Sequence, residues 1–560
     1  MKWIVALLVA VPLVLSFLPG LPTHGYGLVL LGLLPLYYWR RPAHRPRLLA
    51  YAAAIGIGTL AWPDPDLGFL GWVLLLPYLW ARERDDGANW WRSAFLFGFM
   101  RAIAGFYWLG NVHFTAWVGT CVLSGVGFVV GYELVLRRAR FMPFALRGAI
   151  GWLLFEWMHG WLGGGFPWRY IAHTQHDYLP LIQIVALFGV PALSFLMAFS
   201  QHAVYEAWKA RRQTRSLRLA AFSIGLVAAY GFFRLGSAPT IPDDAPTILL
   251  VQTAAPQSLK EQRFDNFEAF ERRLRADTVA GIKAHPEAQL VVWPETMFPL
   301  PYLEDATDTR YSIERYARRL ARSHGRAAIY GVNSYPDYAA YKTQRGYNSA
   351  LLVRKDGSLG GLYRKQWLVP MGEEFLPRRV LSDAWSDSFM DFLQRTMGYP
   401  GTSDMYTGAG AVTLDAGPGL RCAMSICFEG LSPGMTATSA QHEDPDLILN
   451  LVNNAWFAKS WEERQMLAIF QFRAVETGLP FVSCVNGGVS GVIAPSGEVV
   501  ASLDQVMEPG VLAVRVPPAW GATVFLKGGC WALPAALFLA ALGFFLSERR
   551  RKSNAPQKRP

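Results

Sequence analysis

Cysteine is scarce in this chain, with five residues among 560. Their number is odd, and they form neither a CxxC pair nor a cluster with histidine, which argues against a disulfide framework and against a zinc site. Charge is also sparse, because Asp, Glu, Lys and Arg make up 17% of the chain whereas 52% is hydrophobic. That balance is too apolar for a typical soluble protein. The cysteines are Cys121, Cys422, Cys427, Cys484 and Cys530.

The first 236 residues are crowded with apolar segments. Several approach the length of about 20 residues that a helix needs to cross a bilayer. Those at 25–39, 48–62 and 68–80 are shorter, which leaves open that they are tilted, mismatched or re-entrant. One further apolar segment covers 528–546. The segments before residue 240 are 3–19, 25–39, 48–62, 68–80, 93–111, 114–136, 143–161, 180–206 and 218–235.

Lys and Arg are absent from alternate connections between these segments. The turns at 20–25, 62–68 and 110–114 contain neither, whereas those at 40–47, 81–92, 137–140 and 209–218 and the tail at 547–560 are basic. This bias predicts that the basic loops face the cytoplasm. Nine spans from a cytoplasmic N-terminus then leave residues 240–515 outside. The same loops supply most of the net charge of +11, so the sequence does not call for a nucleic-acid partner.

The first apolar segment lacks a clear small-x-small cleavage site before Gly20. A second segment follows at once, which favours a retained helix over a cleaved signal peptide.

After residue 240 the pattern changes to strands alternating with amphipathic helices. The strand-like runs are apolar almost throughout, which is typical of a sheet covered by helices on its faces. We therefore predict an α/β layered domain of about 270 residues. Predicted strands cover 247–254, 288–296, 327–335, 348–357, 420–429, 447–457 and 480–495, and predicted helices cover 258–284, 311–324 and 461–478.

Three polar residues stand where strands of this domain should end. Glu295 closes "VVWPE", Lys365 lies in "LYRKQW" and Cys427 closes "AMSIC". In layered α/β domains, ligands gather at the carboxyl ends of strands. A thiol attacks as thiolate and needs a nearby cation or base to lower its pKa. A carboxylate can take its proton, and an ammonium can stabilise the oxyanion formed on a carbonyl. Together they predict acyl transfer through a thioester.

These motifs resemble the carbon–nitrogen hydrolase (nitrilase) superfamily, whose Glu, Lys and Cys follow one another in this chain order. The resemblance implies an α-β-β-α sandwich. With the multi-span N-terminal half, the whole chain resembles the apolipoprotein N-acyltransferases of the bacterial inner membrane. Further matching stretches are "GFPWRYIAHTQ" (165–175), "VQTAAPQSLK" (251–260), "LVPMGEEFLP" (368–377), "NNAWF" (453–457) and "NGGVSGVIAPSGE" (486–498).

The resemblance implies a fold class, a multi-span α-helical membrane domain plus a nitrilase-like α-β-β-α sandwich. It also implies a reaction that moves an acyl chain from a phospholipid to the amine of a diacylglyceryl-cysteine lipoprotein, with no cofactor and no metal. The expected domains are two additional N-terminal helices at 1–47, a helical bundle at 48–238, a periplasmic catalytic domain at 240–515, a transmembrane helix at 525–548 and a cytoplasmic tail at 549–560.

Carried over residue by residue, the resemblance assigns Glu295 as general base, Lys365 as oxyanion stabiliser and Cys427 as acyl-accepting nucleophile. Glu373 matches the family's second acid. Glu429 matches the acid that follows the nucleophile, and either a chemical or a structural role remains open for it.

Three positions depart from the family pattern. Phe428 stands where Tyr is usual, Glu261 replaces a usual Trp, and Asn454 replaces a usual Asp. None of them belongs to the triad, so the chemistry is expected to persist while substrate preference is less well defined.

The segment 377–408 separates Lys365 from Cys427 and carries aromatic side chains in a loop-like context. We predict a mobile lid in which Trp385 and Phe389 meet acyl chains, with a packed surface helix as the alternative. Trp456 in "NNAWF" is a further candidate for substrate contact.

In the membrane half, Arg101, Glu156 and His159 lie within apolar segments. Intramembrane charges are costly and often functional, yet all three can also be satisfied inside a helical bundle. The run "GFVVG" (127–131) predicts close helix packing.

Two rival functions remain. One is a membrane-tethered amidase of the same superfamily that hydrolyses a carbon–nitrogen bond. The other is a catalytically silent scaffold or lipid-binding protein that keeps the fold, against which the complete Glu, Lys and Cys set argues.

Overall fold

The computed structural model describes residues 45–85, 89–160, 164–255, 267–297, 301–305, 313–342, 345–379, 381–397 and 404–528. The described residues form two compact units. A helical unit contains 45–110 and 116–233, and an α/β unit contains 111–115 and 234–526. The two predicted N-terminal spans, most of the C-terminal span, the tail and Glu261 lie outside the described residues.

The helical unit consists of α-helices interrupted by short 3₁₀ and π segments. They are Arg45–Leu60, Gly68–Trp72 (3₁₀), Leu76–Arg82, Trp90–Gly105, Leu109–Val112, Phe114–Gly127, Phe128–Glu133 (π), Leu134–Arg138, Phe144–His159, Ile171–Gln175 (3₁₀), Leu179–Ile182, Val185–Phe188, Val190–Ala210 and Arg215–Gly236.

Fewer helices reach spanning length than the sequence predicts. Within the described ranges, Phe114–Arg138 and Arg215–Gly236 are long and apolar enough to cross a membrane. A third span results if Leu179–Phe188 and Val190–Ala210, bent by 119°, count as one. Other predicted spans form 16-residue helices such as Phe144–His159, which fall short of about 20 residues. The predicted segment 68–80 breaks into two short helical pieces.

The predicted close packing at "GFVVG" is confirmed. A Cβ atom added to Gly131 would lie 2.7 Å from the Cα atom of Phe155, so two helices touch through their backbones here. The three polar residues of the apolar segments find partners within the unit. Glu156 accepts hydrogen bonds from Trp152 and from the Ile171 amide, His159 pairs with Ser124, and Arg101 donates to the Arg169 carbonyl.

The α/β unit is built on two sheets. The strands are β1 (Thr247–Gln252), β2 (Ala288–Val292), β3 (Tyr302–Leu303), β4 (Ala327–Tyr335), β5 (Tyr347–Val353), β6 (Leu359–Arg364), β7 (Thr413–Asp415), β8 (Arg421–Ile426), β9 (Leu447–Asn453), β10 (Phe481–Asn486), β11 (Ser490–Ile493), β12 (Val499–Leu503) and β13 (Gly510–Arg515). The first sheet has strand order β13-β1-β2-β4-β5-β6, with β3 beside β4, and the second has order β12-β11-β10-β9-β8-β7.

Helices connect the strands, and some of them, such as Phe267–Ala284 and Glu462–Thr477, pack on the faces of the sheets. They are Phe267–Ala284, Ile313–His324, Tyr338–Lys342, Leu376–Arg379 (3₁₀), Asp383–Met397, Cys427–Leu431 (3₁₀), Pro433–Ala440, Glu462–Thr477 and Val524–Gly528.

The alternation of side chains along each strand explains why both faces of a sheet are covered. Ile248 and Leu250 of β1 face the second sheet and pack in one core with residues such as Met424 of β8. Leu249 faces the other way and packs in a second core with Leu274 of helix Phe267–Ala284. Because successive side chains point to opposite faces, a strand buried on both sides must be apolar throughout. The predicted α-β-β-α sandwich is confirmed.

Strand direction brings the predicted site residues to one end of each sheet. β2 and β4 are parallel, and the two antiparallel pairings from β4 through β5 to β6 give β6 the same direction. Glu295 lies three residues after β2, and Lys365 follows β6 directly. Cys427 follows β8, which is parallel to β9 in the other sheet. The prediction that these residues stand at strand ends is confirmed.

Candidate active site

Cys427 sits in a strained turn at the end of β8. Its φ of +53° is in the left-handed region, which costs a non-glycine residue about 1–3 kcal/mol and persists where surrounding structure enforces it. Of the four cysteines that the structure describes, Cys427 alone is partly exposed, and Cys121, Cys422 and Cys484 are buried. Cys427 therefore differs from an ordinary buried cysteine in its backbone conformation and in its partial exposure.

Lys365 is a buried ammonium held by two carboxylates. Its side chain is fully enclosed, and Nζ lies 2.8 Å from Glu373 Oε2 and 3.5 Å from Glu295 Oε1. Burial alone would lower the pKa of Lys365, but the charges of Glu373, Glu295 and Cys427 outweigh it and raise that pKa. Lys365 therefore keeps its charge, as an oxyanion stabiliser must.

Asn348 holds the two carboxylates together, and the sequence did not single it out as a site residue. Its Nδ2 donates to Glu295 Oε1 at 2.6 Å and to Glu373 Oε1 at 3.0 Å. Its carbonyl accepts from the Lys365 amide at 2.8 Å, across the β5–β6 ladder. The sequence feature that could have identified Asn348 is its place as a polar residue near the start of a mostly apolar strand.

Burial and nearby charges shift the pKa of the Cys427 thiol. Burial raises its pKa, the charge of Glu295 raises it further, and Lys365 lowers it without reversing the shift. The charges of Glu373 and Glu462 also raise it. A raised pKa favours the thiol over the thiolate, so attack on a carbonyl would need a base that removes the proton.

Glu429 ties the two sheets together beside the site. It accepts hydrogen bonds from the amides of Ile426, Gln366 and Trp367 and from the hydroxyl of Tyr363, at 2.6–3.0 Å. Burial raises its pKa, and the bonds from these donors oppose that shift. Because both carboxylate oxygens of Glu429 already accept hydrogen bonds, a structural role is favoured over a chemical one.

Phe428 is buried next to Glu429. Its ring packs on Trp367 with centroids 4.7 Å apart. The ring that replaces the family's usual Tyr is therefore a packing element.

Two family models match the chain. The model for the apolipoprotein N-acyltransferase N-terminal domain matches residues 54–203, and the carbon-nitrogen hydrolase model matches residues 238–523. An apolipoprotein N-acyltransferase from Azotobacter vinelandii is 31% identical over 543 residues, which cover 92% of this chain and 98% of that protein. The chain belongs to the apolipoprotein N-acyltransferase family.

Another member of the family aligns almost as far. The apolipoprotein N-acyltransferase of Geobacter metallireducens is 29% identical over 532 residues, which cover 88% of this chain and 94% of that protein.

Among solved structures, an amidase from Nesterenkonia sp. is similar to part of this chain. The match covers 53% of this chain and 98% of the amidase, with 18% identity and a TM-score of 0.37.

The aromatic residues predicted for a lid lie on a helix. Residues Asp383–Met397 are helical, so the loop-like context expected for Trp385 and Phe389 is wrong, because their segment satisfies its backbone internally. Trp385 is 72% exposed and Phe389 is 41% exposed. Trp456 is also exposed, by 45%, in a turn after β9.

One cluster of metal-ligating side chains occurs among the described residues, in the helical unit. It comprises Asp66, His176 and Asp177. His176 Nε2 lies 3.0 Å from Asp66 Oδ1 and Nδ1 lies 3.1 Å from Asp177 Oδ1. A histidine shared by two acids accounts for the cluster without a metal ion.

Proposed function

We propose that this protein transfers an acyl chain from a membrane phospholipid to the N-terminal amine of a diacylglyceryl-cysteine lipoprotein, through a thioester on Cys427. The observation that carries the proposal is the Glu295–Lys365 pair, at 3.5 Å, beside Cys427, which has a strained backbone and is partly exposed. Family membership supports lipoprotein N-acylation as the reaction.

In the first half-reaction, Cys427 attacks the carbonyl carbon of the phospholipid ester. Glu295 takes the thiol proton as the C–S bond forms, and Lys365 stabilises the oxyanion. The ester C–O bond then breaks, and the proton held by Glu295 passes to the leaving alkoxide. A lysophospholipid departs and leaves the acyl-enzyme.

In the second half-reaction, the lipoprotein amine attacks the thioester carbonyl. A C–N bond forms and the C–S bond breaks, while Glu295 removes a proton from nitrogen and returns one to sulfur. The product is an amide and the free thiol is regenerated. The two halves share one enzyme form, so ping-pong kinetics are expected.

The mass of the intact protein tests the proposal. Incubation with phospholipid should add the mass of one acyl chain to the wild-type protein and none to Cys427→Ala. A diacylglyceryl-cysteine peptide should then remove the added mass and appear as an N-acyl product. Absence of the adduct would refute acyl transfer, and release of free fatty acid in place of amide would show that water rather than an amine discharges the thioester.

We propose that the enzyme spans the bacterial inner membrane several times, with residues 240–515 on the periplasmic side. The alternation of basic and uncharged connections supports this orientation. A membrane-impermeant thiol reagent should label a cysteine introduced at the exposed Lys355 in intact spheroplasts. Labelling only after lysis would place the domain in the cytoplasm.

We propose that helix Asp383–Met397 receives acyl chains through its exposed aromatic residues. Trp385 and Phe389 present apolar surface without covering it, which is typical of contact with lipid. The double variant Trp385→Ala/Phe389→Ala should raise the KM for phospholipid. Tyr338→Ala, which removes an aromatic residue that is 60% exposed elsewhere, is the control. Unchanged lipid kinetics in the double variant would exclude the lid.

A further inference from the structure

A buried asparagine contacts the turn that carries Cys427. Asn450 belongs to β9, and its side chain is 0% exposed. Its Nδ2 donates a hydrogen bond to the Cys427 carbonyl at 3.3 Å. Its Oδ1 has no hydrogen-bond partner in the part of the chain that the structure describes. Within the described ranges, this side chain therefore bonds only to the backbone of the proposed nucleophile.

An amide does not fit the apolar pattern of this strand. β9 reads LILNLVN, and Leu449 and Leu451, on either side of Asn450, belong to the core between the two sheets. Asn450 therefore points to the opposite face of its sheet. Burying a polar side chain whose oxygen has no partner is unfavourable. Packing alone would favour an apolar residue at this position.

The turn after Cys427 passes close to this side chain. Residues Cys427–Leu431 form a 3₁₀ turn, and a Cβ atom added to Gly430 would lie 2.5 Å from Asn450 Nδ2. One residue before Cys427, the Ile426 amide donates to Glu429 at 2.8 Å. One buried side chain thus holds the backbone just before Cys427, and another holds the carbonyl of Cys427 itself.

Cys427 needs such a restraint because its backbone is strained. Its φ of +53° lies in the left-handed region, which a non-glycine residue leaves unless surrounding contacts prevent it. Rotation about φ turns the Cβ–Sγ bond and the carbonyl together relative to β8. A contact that fixes the carbonyl therefore also fixes the direction of the sulfur.

Two serines allow a comparison on the same face of the sheet. In the parallel registers of β8 with β9 and of β9 with β10, Ser425 and Ser483 stand opposite Asn450. They are 3% and 0% exposed, and neither hydroxyl has a hydrogen-bond partner among the described residues. A buried polar side chain in this row thus does not by itself bond to the Cys427 turn.

We propose that Asn450 is a positioning residue for Cys427: its amide holds the carbonyl of the strained turn, so that the sulfur keeps the direction needed to attack the phospholipid ester. This inference rests on the proposed function, because it requires Cys427 to be the nucleophile. Asn450 transfers no proton in this role, and the bonds that form and break are those described above. A displacement of about 1 Å can slow a reaction about 100-fold, so its loss should lower kcat.

The test measures three quantities in Asn450→Ala. The rate constant of acyl-enzyme formation at saturating phospholipid should fall at least tenfold. The phospholipid concentration that gives half of the maximal rate should stay within twofold of wild type. The rate of alkylation of Cys427 by iodoacetamide, followed by the mass of its peptide, should also stay within twofold, because this small reagent approaches an accessible thiol from solution without a fixed direction.

Two further variants complete the design. Ser483→Ala removes a buried polar group from the same row and should leave all three quantities within twofold of wild type. Asn450→Leu keeps the branching at Cγ, cannot donate a hydrogen bond and leaves no oxygen without a partner. It should keep or raise the Tm and repeat the slow acylation, and it carries the test if Asn450→Ala does not fold.

Three outcomes would overturn the inference. They are acyl-enzyme formation within twofold of wild type in Asn450→Leu, equal slowing of acylation and alkylation, and equal slowing of acylation in Ser483→Ala. The second would mean that Asn450 acts on the access or the ionisation of the thiol and not on its direction. Absence of any acyl-enzyme in the wild-type protein would instead refute the proposed function, so the two failures are distinguishable.

Discussion

Replacing Asn348 by alanine should impair Glu295, the proposed base, without disturbing Cys427, the proposed nucleophile. The substitution removes two charge-assisted hydrogen bonds, at 2.6 Å to Glu295 and 3.0 Å to Glu373. A hydrogen bond to a charged group contributes about 1.5–3 kcal/mol. If the hydrogen bond from Asn348 is what orients Glu295, its loss should slow acyl-enzyme formation by about 10- to 150-fold, since about 1.4 kcal/mol corresponds to a factor of ten.

The rate should be measured in a single turnover, from the mass gained by the enzyme after mixing with excess phospholipid. Ser349→Ala is the matched control, because Ser349 is the next residue of β5, faces the opposite side of the sheet and pairs with Ser334 at 2.8 Å. The control should lose some stability and keep its rate. A rate for Asn348→Ala within twofold of wild type would refute the role of Asn348 in orienting Glu295.

Three further predictions concern the supports of the site. Gly331→Ala should slow acyl-enzyme formation and lower the Tm in a melting assay, because the new Cβ would lie 2.6 Å from Glu295 Cα, whereas Gly410→Ala, with nothing within 4 Å, should do neither. Glu429→Gln should lower the free energy of unfolding by about 1–3 kcal/mol in urea titration, because an amide NH₂ must face at least one backbone N–H; an unchanged midpoint would contradict this. The folded-state pKa of Cys427 is raised, so its contribution to stability is complete below about pH 8.5 and is lost at higher pH. The Tm of the wild-type protein should therefore fall more steeply above that pH than the Tm of Cys427→Ser, and parallel curves would rule out a raised pKa.

The sandwich was predictable because its main strands are buried on both faces. Runs such as 247–254 and 447–457 are apolar almost throughout, and a strand between two layers requires that pattern. Strands β3, β6, β7, β12 and β13 were missed. β6 contains Gly360 and Gly361, and β3 and β7 are two and three residues long. The predicted strand 480–495 is two strands, because Gly487 takes a positive φ and turns the chain.

The site was predictable only where a chemical group ends a strand. Glu295, Lys365 and Cys427 each follow an apolar run, so their position showed in the sequence. Asn348 did not stand out, because an asparagine at the start of a strand is also typical of a turn. Asn450 lies within an apolar strand, and its contact with the Cys427 carbonyl depends on tertiary packing.

Because Glu429 bridges the two sheets, the rate of turnover should depend on how the sheets are aligned with each other. The sulfur belongs to one sheet and the ammonium and base to the other, and a single carboxylate pins the loop after β6 to the end of β8. A slip of a few tenths of an ångström between the layers would separate reacting groups long before strands melt. On heating, the enzymatic activity should therefore be lost several degrees below the temperature at which the circular dichroism changes.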